Sequence, residues 1–139
     1  APTVAVTCCP GSILDSFADI GIAPAPGPEV VTGSTRMKSG TAQKMVLNML
    51  STGAMIKLGK VYGNLMVDVK PSNEKLVRRC VTIVCSATDC TEEEAVDALE
   101  QCGYHPKTAI VMILRSVDAE TADRLLEAAG GRIAKVLAG

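Results

Sequence analysis

The pattern of apolar and polar positions divides the chain into an α/β beginning and a helical remainder. Residues 3–8 are a near-continuous run of small, β-branched and apolar side chains, typical of a strand buried on both faces of a parallel sheet. A turn at 9–12, with Ser12 as the candidate N-cap, leads into a short helix, and residues 20–23 predict a second strand. The first thirty residues therefore predict one strand–helix–strand unit, which cannot bury both faces of a sheet alone.

A long helix is predicted next, after a proline-rich connector at 24–28. Residues 39–60 are dominated by good helix formers, and apolar side chains lie almost all round the helix. This pattern favours a central, buried helix over a surface helix. The stretch is too short and too often interrupted by polar residues to span a bilayer. Gly59 and Gly63 fit the end of the helix.

The rest of the chain predicts a small helical domain. A short strand at 65–69 and a break at Pro71 come first, and Ser72 or Asn73 can cap the next helix. Thr91 and Glu94 have the spacing of a capping box, and Gly103 can stop the helix that follows. The helical segments are predicted at 73–88, from Thr91 to about Cys102, and from Pro106, Asp118 and Ile133 onward.

Composition narrows the possible classes of function. The chain has 139 residues and a net charge of −1, which argues against a general nucleic-acid surface. Aromatic residues make up only 2%, so the core must be built from aliphatic side chains and methionine. The six cysteines show no paired C-x-x-C element and no secretory context, which favours free cytosolic thiols over disulfides or zinc. They are Cys8, Cys9, Cys80, Cys85, Cys90 and Cys102.

The segment 27–42 carries the clearest chemical signal. It places small hydroxyl residues, two cations and several glycines directly before the long helix. Hydroxyls and free helix N–H groups donate to anions, Arg36 and Lys38 add charge, and the helix dipole adds to it. The residues alone predict a phosphate site, and a plain turn with an N-cap is the alternative. The candidate ligand-binding residues are Glu29, Ser34, Thr35, Arg36, Lys38 and Ser39.

This segment, Gly-Pro-Glu-Val-Val-Thr-Gly-Ser-Thr-Arg-Met-Lys-Ser-Gly-Thr-Ala, resembles the signature shared by N-acetylmuramic acid 6-phosphate etherases and the glucokinase regulatory protein. Both are built on sugar isomerase (SIS) domains that bind phosphosugars. Residues 43–50, 63–69 and 73–76 also resemble the etherases, so the similarity covers nearly the whole chain and favours the etherases over the regulatory protein.

The resemblance implies a fold and a set of domains. Residues 1–60 would be the C-terminal part of an SIS-type parallel-sheet domain, with the signature at 27–42 and the long helix at 39–60. Residues 61–72 would be a connector, and 73–139 an all-helical C-terminal domain. Within it, the helices from Thr91 to Leu114 resemble a ubiquitin-associated (UBA) three-helix fold, which in a bacterial enzyme implies packing architecture and not ubiquitin binding.

The resemblance also implies an activity. Etherases cleave the lactyl ether of N-acetylmuramic acid 6-phosphate to N-acetylglucosamine 6-phosphate and D-lactate, in the recycling of cell-wall sugars in the bacterial cytoplasm. The family mechanism is an elimination in which a carboxylate base takes the C2 proton, an acid assists lactate departure, and water then adds. No metal and no organic cofactor are implied. The expected partners are a phosphorylated amino sugar and a second subunit, paired through the SIS domain, with no nucleic acid and no membrane.

The chain departs from the family pattern in one respect. The catalytic glutamates of the family, and its serine-rich phosphate loop, lie in an N-terminal half that has no counterpart here. We therefore expect no catalytic residue in this chain and no activity of the chain alone. Glu29, the one acidic residue of the signature, either contacts sugar hydroxyls or a neighbouring subunit, or is a structural acceptor that fixes the loop.

Each of the other candidate residues has two possible roles. Arg36 and Lys38 contact phosphate or the substrate carboxylate, or are a solvated pair or an interface ion pair. Asn64 and Asp68 support the loop or, more simply, form a structural turn. His105 lies between Tyr104 and Pro106 at a helix start, which favours a surface or capping role over catalysis.

Two further hypotheses of function stay open. One is a non-enzymatic phosphosugar sensor like the glucokinase regulatory protein, and the other is a helical interaction module whose α/β start is a remnant. The opening Ala-Pro-Thr-Val, without Met, favours a truncated or proteolysed form over a natural start. Residues 1–33 are then expected to be partly disordered, or completed by another chain.

Overall fold

The computed structural model describes residues 1–139 and shows a mixed α/β chain with seven helices and two small sheets. It divides into two compact units, Ala1–Gly53 and Ala54–Gly139. The elements, in chain order, are β1 (Val4–Val6), α1 (Ile13–Ser16), β2 (Ile20–Ile22), α2 (Lys38–Lys57), β3 (Val61–Tyr62), β4 (Leu65–Met66), α3 (Glu74–Thr88), α4 (Glu92–Gln101), α5 (Pro106–Arg115), α6 (Ala119–Ala128) and α7 (Ile133–Ala138).

The predicted strand–helix–strand unit is confirmed at the start of the chain. β1 and β2 pair in parallel, with Val4 opposite Ile20, and α1 connects them. Ser12 occupies the N-cap position of α1, although its side chain makes no capping hydrogen bond. The expected burial of the first strand on both faces is wrong for this chain, because Ala5 alone is buried and Val4 is 46% exposed. Two strands and one turn of helix provide too little surface to cover a sheet.

The predicted long helix is confirmed as α2, but it ends at Lys57 and not at residue 60. Gly59, at φ +70°, reverses the chain there. The predicted burial of this helix is wrong, since Val46 is its one buried residue. Most of its other apolar side chains are exposed. Those exposed are Met45, Leu47, Met49, Leu50, Met55 and Ile56.

A β-hairpin that was not predicted from the sequence follows α2. β3 and β4 pair antiparallel, with Tyr62 opposite Leu65, around a turn in which Gly63 adopts φ +58°. Gly63 therefore belongs to this turn and not to the helix end, and the predicted strand at 65–69 is limited to Leu65–Met66. Val67, which follows, is 1% exposed and belongs to the core of the second unit.

The helical segments of the second unit are confirmed, together with their caps. Asn73 caps α3, Thr91 and Glu94 form a complete capping box on α4, and Asp118 caps α6. Pro106 occupies the first turn of α5, where its missing N–H costs nothing. These caps accept the helix N–H groups that have no partner within the helix, and so fix each helix start.

The core of the second unit forms around α5, which packs on α3, α4, α6 and α7. Most of its largest fully buried side chains are aliphatic, as the low aromatic content requires, and include Leu99, Ile110, Ile133 and Val84. All six cysteines are free thiols, and Cys80 is completely buried in this core. No helix of the chain combines the length and the apolar character needed to cross a lipid bilayer. The predicted domain boundaries at 60 and 72 stay a prediction.

Candidate functional site

The loop before α2 is tied to the helix start by one carboxylate. The two oxygens of Glu29 accept the backbone N–H groups of Lys38 (Oε2, 3.0 Å) and Ser39 (Oε1, 3.1 Å). Because hydrogen bonds favour the charged form, these two N–H groups hold the pKa of the Glu29 carboxyl below its usual range, and the Lys38 charge lowers that pKa further. Glu29 is therefore the structural acceptor that fixes this loop, one of the two roles expected for it.

The Glu29 carboxylate occupies backbone N–H groups that could otherwise bind a ligand at the helix start. With the N–H groups of Lys38 and Ser39 taken by Glu29, the next two, of Gly40 and Thr41, donate to the carbonyls of Thr35 and Met37. The expectation that free N–H groups of this helix start receive an anion is therefore wrong for this arrangement. The negative charge favoured by the helix dipole is already supplied by the protein.

Side chains, and not the backbone, remain available to bind an anion. Arg36 and Lys38 are exposed and form no ion pair within the chain, which leaves open the predicted ligand contact and the alternatives of a solvated pair or an interface ion pair. Ser34 accepts the N–H of Arg36 at 3.4 Å, which fixes the turn before the helix. Thr35 is exposed, and its hydroxyl makes no hydrogen bond within the chain.

Ser39 lies on the inner side of this loop. It is half-buried, and its carbonyl accepts the thiol of Cys8 at 3.5 Å. This contact joins the end of β1 to the start of α2 within the first unit. The six predicted site residues therefore lie in one continuous segment, with Glu29 and Ser39 on its inner side and Arg36 and Lys38 toward solvent.

An open groove of about 850 Å³ runs beside the two cations. Met37, Thr41 and Met45 form one wall, because residues four apart share a helix face. These three residues were not among the predicted site residues, although their spacing of four within the signature and the following helix is a usable signal. The groove is lined by Pro26, Val30, Arg36, Met37, Lys38, Thr41, Ala42 and Met45.

The remaining candidates, Asn64, Asp68 and His105, lie in the second unit. Asn64 is in the β3–β4 turn, as expected for a turn residue. Asp68 forms an ion pair with Lys60, and this hydrogen bond lowers the pKa of the Asp68 carboxyl. His105 precedes α5 at the N-cap position, is exposed, and makes no capping hydrogen bond through its side chain.

Comparison with known proteins links this chain to two groups. Residues 63–124 match the family described as the C-terminal lid domain of glucokinase regulatory protein. The chain is 57% identical over 132 residues to an N-acetylmuramic acid 6-phosphate etherase of Klebsiella aerogenes, covering 95% of this chain and 44% of that protein. It is 58% identical over 135 residues to the etherase of the same name from Escherichia coli O1:K1, covering 97% of this chain and 45% of that protein.

These similarities confirm the resemblance to N-acetylmuramic acid 6-phosphate etherases over almost the whole chain. The chain spans less than half the length of the curated relatives it matches.

Proposed function

We propose that this chain is the C-terminal part of an N-acetylmuramic acid 6-phosphate etherase, a carbon–oxygen lyase that releases D-lactate and N-acetylglucosamine 6-phosphate. The observation that carries the proposal is the identity of 57–58% to etherases over 95–97% of the chain. The enzyme acts in the recycling of cell-wall amino sugars in the cytoplasm and needs no metal or organic cofactor.

In this proposal the catalytic acid and base lie outside the chain, so the 139 residues alone are inactive. Residues 1–60 complete an SIS domain, which pairs with a second subunit as a homodimer. The parallel pairing of β1 with β2 supports an SIS-type sheet, because parallel sheets are normally covered on both faces and extend beyond two strands. Residues 61–72 connect it to the helical domain at 73–139, in which α4 and α5 belong to a UBA-like arrangement.

The ligand is proposed to meet the side chains of the signature. Arg36 and Lys38 provide the positive charge for the phosphate or for the lactyl carboxylate, since both are exposed and unpaired. Ser34, Thr35 and Ser39 contribute polar groups at the same turn. Glu29 acts indirectly by holding the loop on the helix start, and its free lone pairs are available to a sugar hydroxyl.

The test is D-lactate release from N-acetylmuramic acid 6-phosphate by the complete protein, with the 139-residue chain alongside. Release by the complete protein alone supports the proposal and locates the acid and base outside this chain. Absence of release from both would overturn it.

The two cations are tested in the same assay. We expect Arg36→Gln and Lys38→Gln in the complete protein to raise KM on the order of tenfold or more, because each removes a charged partner of an anionic group. Lys44→Gln is the matched control, an exposed cation further along α2 and outside the groove. An equal effect of all three substitutions would show a general charge effect and no specific contact.

A second candidate is a phosphosugar-binding regulatory protein without enzymatic activity. The match of residues 63–124 to the lid domain of glucokinase regulatory protein favours it. It predicts that N-acetylmuramic acid 6-phosphate raises the Tm of the complete protein, since a ligand that binds only the folded state stabilises it, while no D-lactate appears.

A further inference from the structure

A cavity of about 270 Å³ lies within the second unit, lined by the segment after β4, the start of α5 and one face of α6. Its apolar lining is part of the helical core, since Val67, Pro106 and Leu126 are all buried. Sites for small molecules generally have volumes of about 300–1,000 Å³, so this cavity suits one small molecule such as a single sugar ring.

Charged side chains of both signs line the cavity. Lys70 follows β4, and Lys107 lies in the first turn of α5. Asp123 and Glu127 are four residues apart on α6 and therefore lie on the same face of that helix. Neither of the two ion pairs in the chain involves any of these four residues. The two cations and the two carboxylates thus share one cavity without neutralising each other.

Two of these side chains are held in place by the surrounding structure. The hydroxyl of Thr108, a residue that is 3% exposed, donates to Oδ1 of Asp123 at 2.7 Å. Lys107 is half-buried, and its Nζ lies 3.6 Å from the point that a Cβ on Gly131 would occupy. The carboxylate of Asp123 and the ammonium group of Lys107 therefore have defined positions at the cavity wall.

This arrangement suits a ligand that carries charges of both signs. The third carboxylate of the lining, Asp68, is already paired with Lys60 at 2.5 Å, which leaves two cations and two carboxylates. An anion alone would be repelled by the carboxylates of α6, and a cation alone would be repelled by the lysines. A small molecule with an ammonium group and an anionic group can pair with both sets.

We propose that this cavity binds an amino sugar phosphate whose nitrogen is a free ammonium group. The phosphate pairs with Lys70 and Lys107, the ammonium group pairs with Asp123 and Glu127, and the sugar ring lies against the apolar lining. The choice of a sugar among zwitterions rests on the proposed function, in which the product is N-acetylglucosamine 6-phosphate. Hydrolysis of its acetamide by water gives acetate and this ammonium group, so a deacetylation is the class of reaction that would supply the ligand.

The experiment is an NMR titration of the isotope-labelled 139-residue chain with glucosamine 6-phosphate, which carries both charged groups. We expect amide shifts at 67–70, 105–108 and 123–127, the segments that line the cavity. N-acetylglucosamine 6-phosphate lacks the ammonium group, and glucosamine lacks the phosphate. Each should bind at the cavity roughly tenfold more weakly or worse, because each loses one set of charged contacts.

Substitutions distinguish the roles of the two charged sets. Glu127→Gln should weaken binding of glucosamine 6-phosphate roughly fivefold or more without weakening that of N-acetylglucosamine 6-phosphate, a difference that a structural role would not produce. Lys107→Gln should weaken binding of both, and Lys70→Gln, outside the helices, repeats this test if Lys107→Gln alters the fold. Glu120→Gln and Lys135→Gln are the matched controls, which remove exposed charges outside the cavity.

Three results would overturn the proposal. One is the absence of shifts at the cavity with glucosamine 6-phosphate, including shifts confined to the signature at 27–42. Another is equal affinity of the cavity for all three sugars, and the third is equal weakening of both phosphosugars by Glu127→Gln. The proposed function fails by a different result, the absence of D-lactate release from the complete protein, so the two failures are distinguishable.

Discussion

Glu29 shows how one side chain sets the chemistry of the candidate site. Its carboxylate takes the place that an anionic ligand would take at a free helix N-terminus, because it accepts the N–H groups of Lys38 and Ser39. Under the proposed function, a phosphosugar at this loop is therefore held by the side chains of Arg36 and Lys38 and by the hydroxyl residues. The signature can therefore carry a family function without acting as a backbone phosphate cradle.

The protonation of Glu29 gives a prediction about pH. Its folded-state pKa is below the ordinary value of 4.5, so its stabilising contribution is complete above that value and is lost as the pH falls through the lowered pKa. We expect the amide proton shifts of Lys38 and Ser39 to titrate together, with a midpoint below 4.5, in an NMR titration of the chain. In Glu29→Gln the side chain keeps an acceptor oxygen but has no titratable charge, so the amide proton shifts of Lys38 and Ser39 should not titrate. A midpoint above the ordinary value would contradict the carboxylate contacts.

Gly59 and Gly63 both adopt positive φ, but only Gly59 has a close neighbour. Substitutions at the two positions therefore distinguish the cost of backbone strain from the cost of steric contact. A Cβ added to Gly59 would lie 2.6 Å from the carbonyl oxygen of Gly131, whereas a Cβ on Gly63 would meet nothing within 4 Å. We expect Gly63→Ala to lower the free energy of unfolding by about 1 kcal/mol, the left-handed penalty alone. Gly59→Ala should cost about 2 kcal/mol or more, because a backbone atom must also move. Denaturant unfolding of the chain measures both, and equal losses would contradict the close contact at Gly59.

At the scale of the elements, sequence reasoning succeeded where the determinants are local. The capping box of Thr91 and Glu94, the Asp118 cap and Pro106 at the start of α5 depend on side chains within one turn, and all were predictable. The hairpin was missed because Gly63 was assigned to the helix end, although Val-Tyr-Gly-Asn-Leu-Met carries a hairpin signal.

Burial is the property that the local pattern could not supply. The apolar character of α2 predicted a buried helix, yet burial depends on what packs against the helix, and Val46 is its one buried residue. The candidate site was only partly predictable, because it also depends on contacts between residues that are not neighbours in the sequence. The residues of the signature were identifiable, while the use of the helix N–H groups by Glu29 depends on how residues ten apart approach each other.

The contrast between α2 and the helical core gives a prediction at this scale. Leu99 is completely buried and Leu47 is 56% exposed, so the same substitution should have different costs. We expect Leu99→Ala to lower the free energy of unfolding of the second unit by about 2–5 kcal/mol, from lost burial and the cavity left behind. Leu47→Ala in the 139-residue chain should stay within about 0.5 kcal/mol. Unfolding followed by circular dichroism tests this, and a large loss for Leu47→Ala would contradict the exposure of α2.

At the scale of the molecule, the exposed apolar residues are concentrated in the first unit. Val30, Val31, Met37, Leu47 and Met49 are all more than half exposed, which is unusual for a monomeric soluble surface. The curated relatives are more than twice as long as the matched region, so they contain further chain that this sequence lacks. Under the proposed function, that further chain supplies both the cover for α2 and the catalytic carboxylates.

This proposal predicts that the two halves of the enzyme complement each other. We expect the separately produced N-terminal half to bind the 139-residue chain, to slow amide exchange along α2, and to restore D-lactate release that neither half shows alone.

Leu47→Asp and Met49→Asp should abolish binding and activity, because a buried unpaired charge is costly. Their Tm for the second unit should be unchanged, since both residues lie in Ala1–Gly53. The polar control Asn48→Asp, between them on α2, adds the same charge and calibrates its general effect. Complementation that survives Leu47→Asp would show that the N-terminal half does not cover this part of α2, even if the etherase activity itself is confirmed.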